Sequence, residues 1–410
     1  AQSKIARTLL VTQPPRWYGV CDGNSVAMGT IRVPTKQRHY SPYERPHSIQ
    51  VPIKRLDVSA YVIPTDGPES DGTLEWHHTL LLLVEASGGG QSGLGYSYAS
   101  YGSAAVVKEL LADVVVGHDA LSVEDCWWAM LHAVRNIGRP GAVAMGISAV
   151  DTALWDLKGR LLNLPLVTLL GSVRDGVPVY GSGGFITYDL ERLTGQLGGW
   201  VAQGIPRVKM KVGQDAAQDV KRMDAVRRAI GDGPELFIDA NGGYATKEAL
   251  RVGEAAAERG VTWFEEPVSS DDLEGLHLLR ERVPSAIEIA AGEYGYDPLY
   301  FRRMLHAQAV DVLQADATRC CGITGFLKAA ALCDAEPLPM SAHCAPAIHM
   351  HPCCAARPVR HIEYFYDHVR IEQMLFNGAI EPVNGVLYPD RSRPGIGLEF
   401  KRQDAQRYAA

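Results

Sequence analysis

No apolar run in this chain approaches the roughly 20 residues that span a bilayer, and its first residues have neither the apolar core nor the small-residue cleavage site of a secretory leader. The expectation is a soluble, cytoplasmic protein with no membrane partner. Basic charge is also in short supply. With 40 Lys and Arg against 47 Asp and Glu, interspersed to a net charge of −7, the chain has no basic patch for nucleic acid. A small molecule is the expected partner. Paired CxxC units are missing too: the eight cysteines include the adjacent pairs Cys320–Cys321 and Cys353–Cys354, which excludes a zinc ribbon or a disulfide framework and leaves small buried hydrophobes as the expected role. The dense run His343, Cys344, His349, His351, Cys353 and Cys354 matches no finger or ribbon spacing, so loop packing is expected there rather than structural zinc. Finally, Gly181-Ser182-Gly183-Gly184 does not form the glycine pattern of a dinucleotide loop.

What is present is a chain of 410 residues, 46% hydrophobic and 21% charged, enough for two domains with sizeable cores. Residues 1–52 are rich in Pro, Arg and Tyr, with Pro14, Pro15, Pro34, Pro42 and Pro46 breaking every candidate element; a poorly structured N-terminal extension is expected. Residues 53–176 read as strands followed by helices. A strand begins at Ile53, a polar loop runs from Pro64 to His78, and a second strand covers Thr79–Glu85. Ile147, Val150, Leu154, Leu157 and Leu161 then share one helical face. Over residues 177–366 the texture becomes strand–helix alternation, with apolar runs at 177–180, 208–210, 236–238, 261–264, 287–291, 310–313, 338–340 and at 362. Eight strands of this kind predict a closed (β/α)8 barrel rather than an open sheet. Residues 367–410 leave the pattern and are expected to return to the first domain.

Six polar residues terminate successive apolar runs at intervals of 23 to 28 residues: Lys211, Asp239, Glu265, Glu293, Asp316 and His343. Chemistry in such barrels gathers at the C-terminal strand ends. Asp239, Glu265 and Glu293 offer three oxygen ligands from three strands, a set that suits one Mg²⁺. Alternation points Lys209 and Lys211 to the same side, and two neighbouring ammoniums lower the pKa of one so that it can serve as a base. Asp316 can hold the His343 imidazole in one tautomer and raise its basicity.

With these residues in view, the chain resembles the enolase superfamily, and within it the mandelate racemase subgroup, over roughly residues 53 to 400. The likeness rests on Lys209-Met210-Lys211, Asp239 with Asn241, Glu265-Glu266-Pro267, Gly292-Glu293, Asp316 followed by Gly322-Ile323-Thr324-Gly325, His343, Glu363, and the helix Ala149–Gly159. The resemblance implies an α/β fold, a modified TIM barrel beneath an N-terminal α+β capping domain, and a homo-oligomer of two to eight chains. It implies removal of the proton α to a carboxylate, giving an enediolate stabilised by Mg²⁺; the handling of this superfamily's Lys or His base with Mg²⁺ is a known pattern of pKa tuning. Lys211 and His343 would be the opposed proton-transfer groups. Lys209 would steady the carboxylate, Glu363 would hydrogen-bond an enediolate oxygen, and Ser182, Asn241 and Trp76 would contact substrate. Asp316 and His343 stand where the muconate-cycloisomerase branch has a lysine around the sixth strand, which favours the racemase subgroup. Most of that subgroup resembles acid-sugar dehydratases, and the polar stretch 65–78 suits a hydroxylated substrate. Dehydration of an aldonate or aldarate to a 2-keto-3-deoxy acid is therefore expected first, a 2-hydroxy-acid racemase or epimerase second, and a non-catalytic binding protein last.

Overall fold

The computed structural model describes residues 50–410, so the expectation for residues 1–52 lies outside the described residues except at 50–52. The chain starts with an antiparallel meander, β1 (Ile53–Ser70), β2 (Glu75–Gly88) and β3 (Gln91–Tyr98), paired in that order. Residues 64–78, expected as a loop, are largely strand. Pro64 pairs with His78, Glu69 with Trp76 and Ser70 with Glu75 across a register shift, leaving only residues 71–74 to turn. Polarity reads as a loop here because the arm buries polar residues, Glu69, Ser70 and Asp71, so its ladder forms without apolar alternation. The turn is held by Asp71, whose Oδ1 accepts from the amides of Thr73 at 2.7 Å and Leu74 at 2.8 Å.

The long helix Ala142–Leu162 lies directly on β3. Gly93 and Gly95 permit this approach: a Cβ at Gly95 would sit 2.3 Å from the Ala149 carbonyl oxygen, and one at Gly93 would sit 2.2 Å from the Leu157 nitrogen. Backbone cannot yield as a flexible side chain can. Gly95→Ala is expected to lower unfolding free energy by about 1–3 kcal/mol through overpacking, measured by chemical denaturation.

The barrel strands are β4 (Val177–Gly183), β5 (Arg207–Lys211), β6 (Glu235–Asp239), β7 (Val261–Glu265), β8 (Glu288–Ala291), β9 (Val312–Ala315), β10 (Met340–Ala342) and β11 (Val359–Phe365). All run parallel, and β11 pairs with β4 to close the cylinder. Several following helices begin on an aspartate cap; Asp215, for example, accepts from the amides of Ala217 and Gln218, satisfying donors that the helix itself leaves free. Inside the barrel, period-2 alternation stacks side chains in layers. Tyr180, Phe237, Trp263, Ala290 and Val312 form one apolar cluster, with Phe237 and Trp263 stacked at 5.1 Å. Two residues further along their strands, roughly 6–7 Å higher, stand Ser182, Asp239 and Glu265. An aromatic floor thus underlies a polar mouth.

The helix Tyr366–Leu375 starts directly after β11 and packs on β11 and β4, so the barrel's helical layer runs past residue 366. Strand and helix adjoin at Phe365 and Tyr366 without an intervening loop, so no local signal marks a boundary there. The final residues reach the meander, where Ala410 N donates to Ala60 O at 3.1 Å. No helix among the described residues is long and apolar enough to cross a membrane.

Candidate active site

Three carboxylates converge at the mouth of the barrel. Asp239, Glu265 and Glu293 are buried, and each offers an oxygen within 4.8 Å of the others. Asp239 and Glu265 end β6 and β7. Glu293 follows Gly292, which has φ +134° and no room for a Cβ, since one would meet the Gln314 carbonyl oxygen at 2.2 Å. Burial and the nearby Asp239 charge push Glu265 up to about 8. Burial also acts to raise Glu293, but His343 and Arg319 outweigh it and hold that carboxyl well below the usual range. Glu293 Oε2 has no hydrogen-bond partner, although His343 Nε2 lies 3.1 Å away, close enough for an ion pair but not aligned as a donor. Crowded hard oxygens, one without a hydrogen bond, fit a divalent cation such as Mg²⁺.

The two lysines of β5 occupy different depths. Lys209 is fully enclosed, pairs with Glu265, and lies 2.8 Å from Glu363 Oε1 and 3.1 Å from Asp239 Oδ2. Lys211 reaches higher, donating to Asp239 Oδ2 at 2.6 Å and Asn241 Oδ1 at 3.0 Å. The expected lowering of the Lys211 pKa does not prevail in this arrangement. Burial and Lys209 do act to lower it, but Asp239 and Glu293 outweigh them and hold it above the ordinary lysine value.

On the far side, His343 Nδ1 lies 2.8 Å from Asp316 Oδ2. Asp316 is itself fixed by donors from Thr318, whose amide and hydroxyl lie 2.6 and 2.7 Å from Oδ1. Burial acts to raise Asp316, yet the His343 hydrogen bond prevails and holds it at about 2. An ionised Asp316 therefore accepts a hydrogen bond from Nδ1–H and leaves Nε2 facing the site. Glu363 Oε1 accepts from Ser182 Oγ at 2.6 Å, and Oε2 accepts from the Cys344 amide at 3.1 Å.

Above these groups is a cavity of about 300 Å³ whose walls include Lys211, Asn241, Glu293 and His343 from the barrel and Asp71 and Trp76 from the meander. The hairpin tip is seated on the barrel rim. Gln214 Nε2 donates to Asp71 O at 3.0 Å, and a Cβ on Gly72 would lie 2.2 Å from the Ala240 carbonyl oxygen. Trp76 is steadied by Nε1 donating to Glu69 Oε2 at 3.0 Å and by an edge contact with Phe185 at 5.5 Å.

Two family patterns cover most of the described chain. Residues 192–405 match the family described as enolase C-terminal domain-like, and residues 68–171 match the N-terminal domain of the mandelate racemase / muconate lactonizing enzymes. The chain belongs to the mandelate racemase subgroup of the enolase superfamily. An L-talarate/galactarate dehydratase of Salmonella typhimurium is 33% identical over 364 residues, covering 86% of this chain and 89% of that protein. A mandelate racemase/muconate lactonizing enzyme-like protein from Rubrobacter xylanophilus has 54% sequence identity and a TM-score of 0.86, covering 88% of this chain and all (100%) of its own. An L-talarate dehydratase from Polaromonas sp. JS666, solved with Mg and L-glucarate, has 31% identity and a TM-score of 0.80, covering 88% of this chain and 98% of its own.

Within this superfamily member, two sequence-derived residues sit deeper than expected for substrate contacts. Lys209 and Ser182 are completely buried and meet Glu363 rather than the cavity. Depth follows from position: both lie within their strands' pairing, next to the aromatic layer. Conversely, sequence reading missed Arg319, which lies 3.3 Å from Glu293 Oε1 and 3.7 Å from Asp316 Oδ2 and lines the cavity. Its spacing of three residues after Asp316 was the available signal. His349 was also missed as a support: its Nε2 accepts from the Ala317 amide at 2.8 Å, while Nδ1 lies 2.8 Å from the Cys344 carbonyl oxygen. That uses both ring nitrogens and leaves no zinc role for it. Tyr98 and His368, stacked at 3.4 Å in the cavity wall, come from opposite ends of the chain and carried no local pattern.

Proposed function

We propose that this chain is a Mg²⁺-dependent dehydratase of a sugar acid, converting it to a 2-keto-3-deoxy acid. The observation that carries this reading is the presence of Lys211 and His343 in the wall of one cavity beside the Asp239, Glu265 and Glu293 triad. Bound by those three carboxylates, Mg²⁺ would offset most of their negative charge and would act as a Lewis acid toward the substrate carboxylate. With that field offset, burial and Lys209 would lower the Lys211 pKa toward that of a base. Lys211 removes the α-proton. His343, with Nδ1 tied to Asp316, presents Nε2 to protonate the departing β-hydroxyl. Glu363, expected to hydrogen-bond the enediolate, is held ionised by Lys209 and His343 against its burial and so has no proton to donate; its part is to anchor Lys209, while Asn241 keeps Lys211 aimed at the reacting carbon. The seated hairpin, with Trp76, excludes water from this chemistry.

The cavity favours a substrate with one carboxylate. Of the lysines and arginines among the described residues, Lys211 and Arg319 line it, and both are already engaged by Asp239 and by Glu293 with Asp316. A second carboxylate would find no lysine or arginine in the lining that is not already paired, and Asp71 adds negative charge to the same wall. Aldonates are therefore preferred over aldarates. The test is a panel of both classes assayed for 2-keto product with Mg²⁺. The expected outcome is elimination on at least one aldonate, abolished by EDTA and restored by Mg²⁺. Loss of optical rotation or α-proton exchange without elimination on any acid would replace the dehydratase with a racemase.

A further inference from the structure

Cys344 adjoins His343, lines the same cavity, and has no part in the proton transfers proposed above. Its backbone has φ +51° and that of Ala345 has φ +39°, two consecutive left-handed residues without glycine, a costly conformation that accompanies an inward-facing thiol. Cys344 Sγ lies 3.2 Å from His343 Nε2 and 3.4 Å from Glu363 Oε2, and those two atoms are 3.5 Å apart. A tetrahedral zinc with ordinary Zn–S, Zn–N and Zn–O bonds holds such donors about 3.4–3.6 Å from one another. The triangle is therefore already within a few tenths of an ångström of a zinc-ligand face.

We propose that His343, Cys344 and Glu363 form a second cation site, selective for Zn²⁺ or another thiophilic divalent ion, whose occupancy silences the proton-transfer role of His343. The surroundings fit this use. His343 directs Nδ1 to Asp316, the arrangement in which a histidine offers Nε2 to a metal and a carboxylate fixes its tautomer. Glu363 Oε1 is held by Ser182 and Lys209, while Oε2, which accepts from the Cys344 amide at 3.1 Å, is the oxygen turned toward the thiol and the imidazole. Zn²⁺ binding would displace both the thiol proton and the Nε2 proton of His343 to solvent, leaving a thiolate and a neutral imidazole as ligands and a fourth position facing the cavity. Mg²⁺, a hard cation, prefers the all-oxygen triad, so the two ions do not compete for one set of ligands. Binding of zinc consumes the Nε2 lone pair, and His343 can then neither accept nor deliver a proton.

The probe is Co²⁺ added to the Mg²⁺-loaded protein, followed by Zn²⁺. Wild type is expected to show a thiolate-to-cobalt charge-transfer band and tetrahedral visible absorption, both bleached by Zn²⁺ and both absent in Cys344→Ser and Cys344→Ala. Where turnover is measured, Zn²⁺ should inhibit wild type at a concentration at least about 10–100-fold lower than it inhibits Cys344→Ser, since that much affinity is lost when only a partner of a ligand is removed. Absence of the sulfur band in wild type, its survival in both variants, or equal zinc sensitivity in folded Cys344→Ser overturns the proposal. The spectrum requires no turnover, so failure of the dehydratase reading leaves this test intact.

Discussion

Lys211→Ala is expected to lower kcat on the dehydrated sugar acid by about 10²–10⁴-fold, the range contributed by a positioned general base. It should abolish α-proton exchange to the same degree, because Lys211 is the lysine that reaches the cavity. The fold should persist. Removing its ammonium leaves Asp239 still paired with Lys209 at 3.1 Å, so no buried carboxylate is stranded, and the thermal transition should move little beside the loss of activity. Product formation, solvent-deuterium incorporation and a melting curve on one preparation check all three expectations. Retained turnover with an intact fold would show that Lys211 is not the base.

His343→Asn should separate the two half-reactions. Asparagine cannot carry the proton to a leaving hydroxyl, so elimination is expected to fall by about 10²–10⁴-fold. Lys211 stands on a different strand with its own partners, so exchange of the substrate α-proton with D₂O should continue near the wild-type rate. A racemase would behave differently: the wild type would show no elimination to lose, and the variant would exchange one enantiomer while losing inversion. Proton NMR in D₂O reads exchange and 2-keto product together. Equal loss of both signals would mean that His343 is needed before the α-proton leaves, contrary to the proposed order.

These effects were traceable to particular residues before the tertiary structure because a barrel writes its chemistry into a regular repeat. Lys211, Asp239 and Glu265 each end a short apolar strand, and two-residue alternation aims them to the interior with the side chains two positions below. Asp316 and His343 follow one another by one βα unit, so their 2.8 Å contact is what adjacent strands produce. The meander was less legible. Residues 64–78 lack apolar alternation because they bury against the barrel rim through Glu69, Ser70 and Asp71 rather than through a hydrophobic stripe, and polarity alone reads as a loop.

The sequence by itself determined the barrel, the converging carboxylates and the placing of Lys211 and His343 beside them, since these depend on local periodicity and on spacing between neighbouring strands. Only the tertiary structure decided depth and company. Lys209 and Lys211 are indistinguishable by alternation, but one level of the barrel separates a lysine enclosed among Glu265, Glu363 and Asp239 from one that faces the cavity. Arg319, the Tyr98–His368 stack and the thiol of Cys344 acquire meaning from neighbours brought together by barrel closure or by the seated hairpin. Such contacts join residues far apart in the chain, and no local pattern encodes them; the field that sets the Lys211 charge is a sum over four strands, available only once those strands are in place.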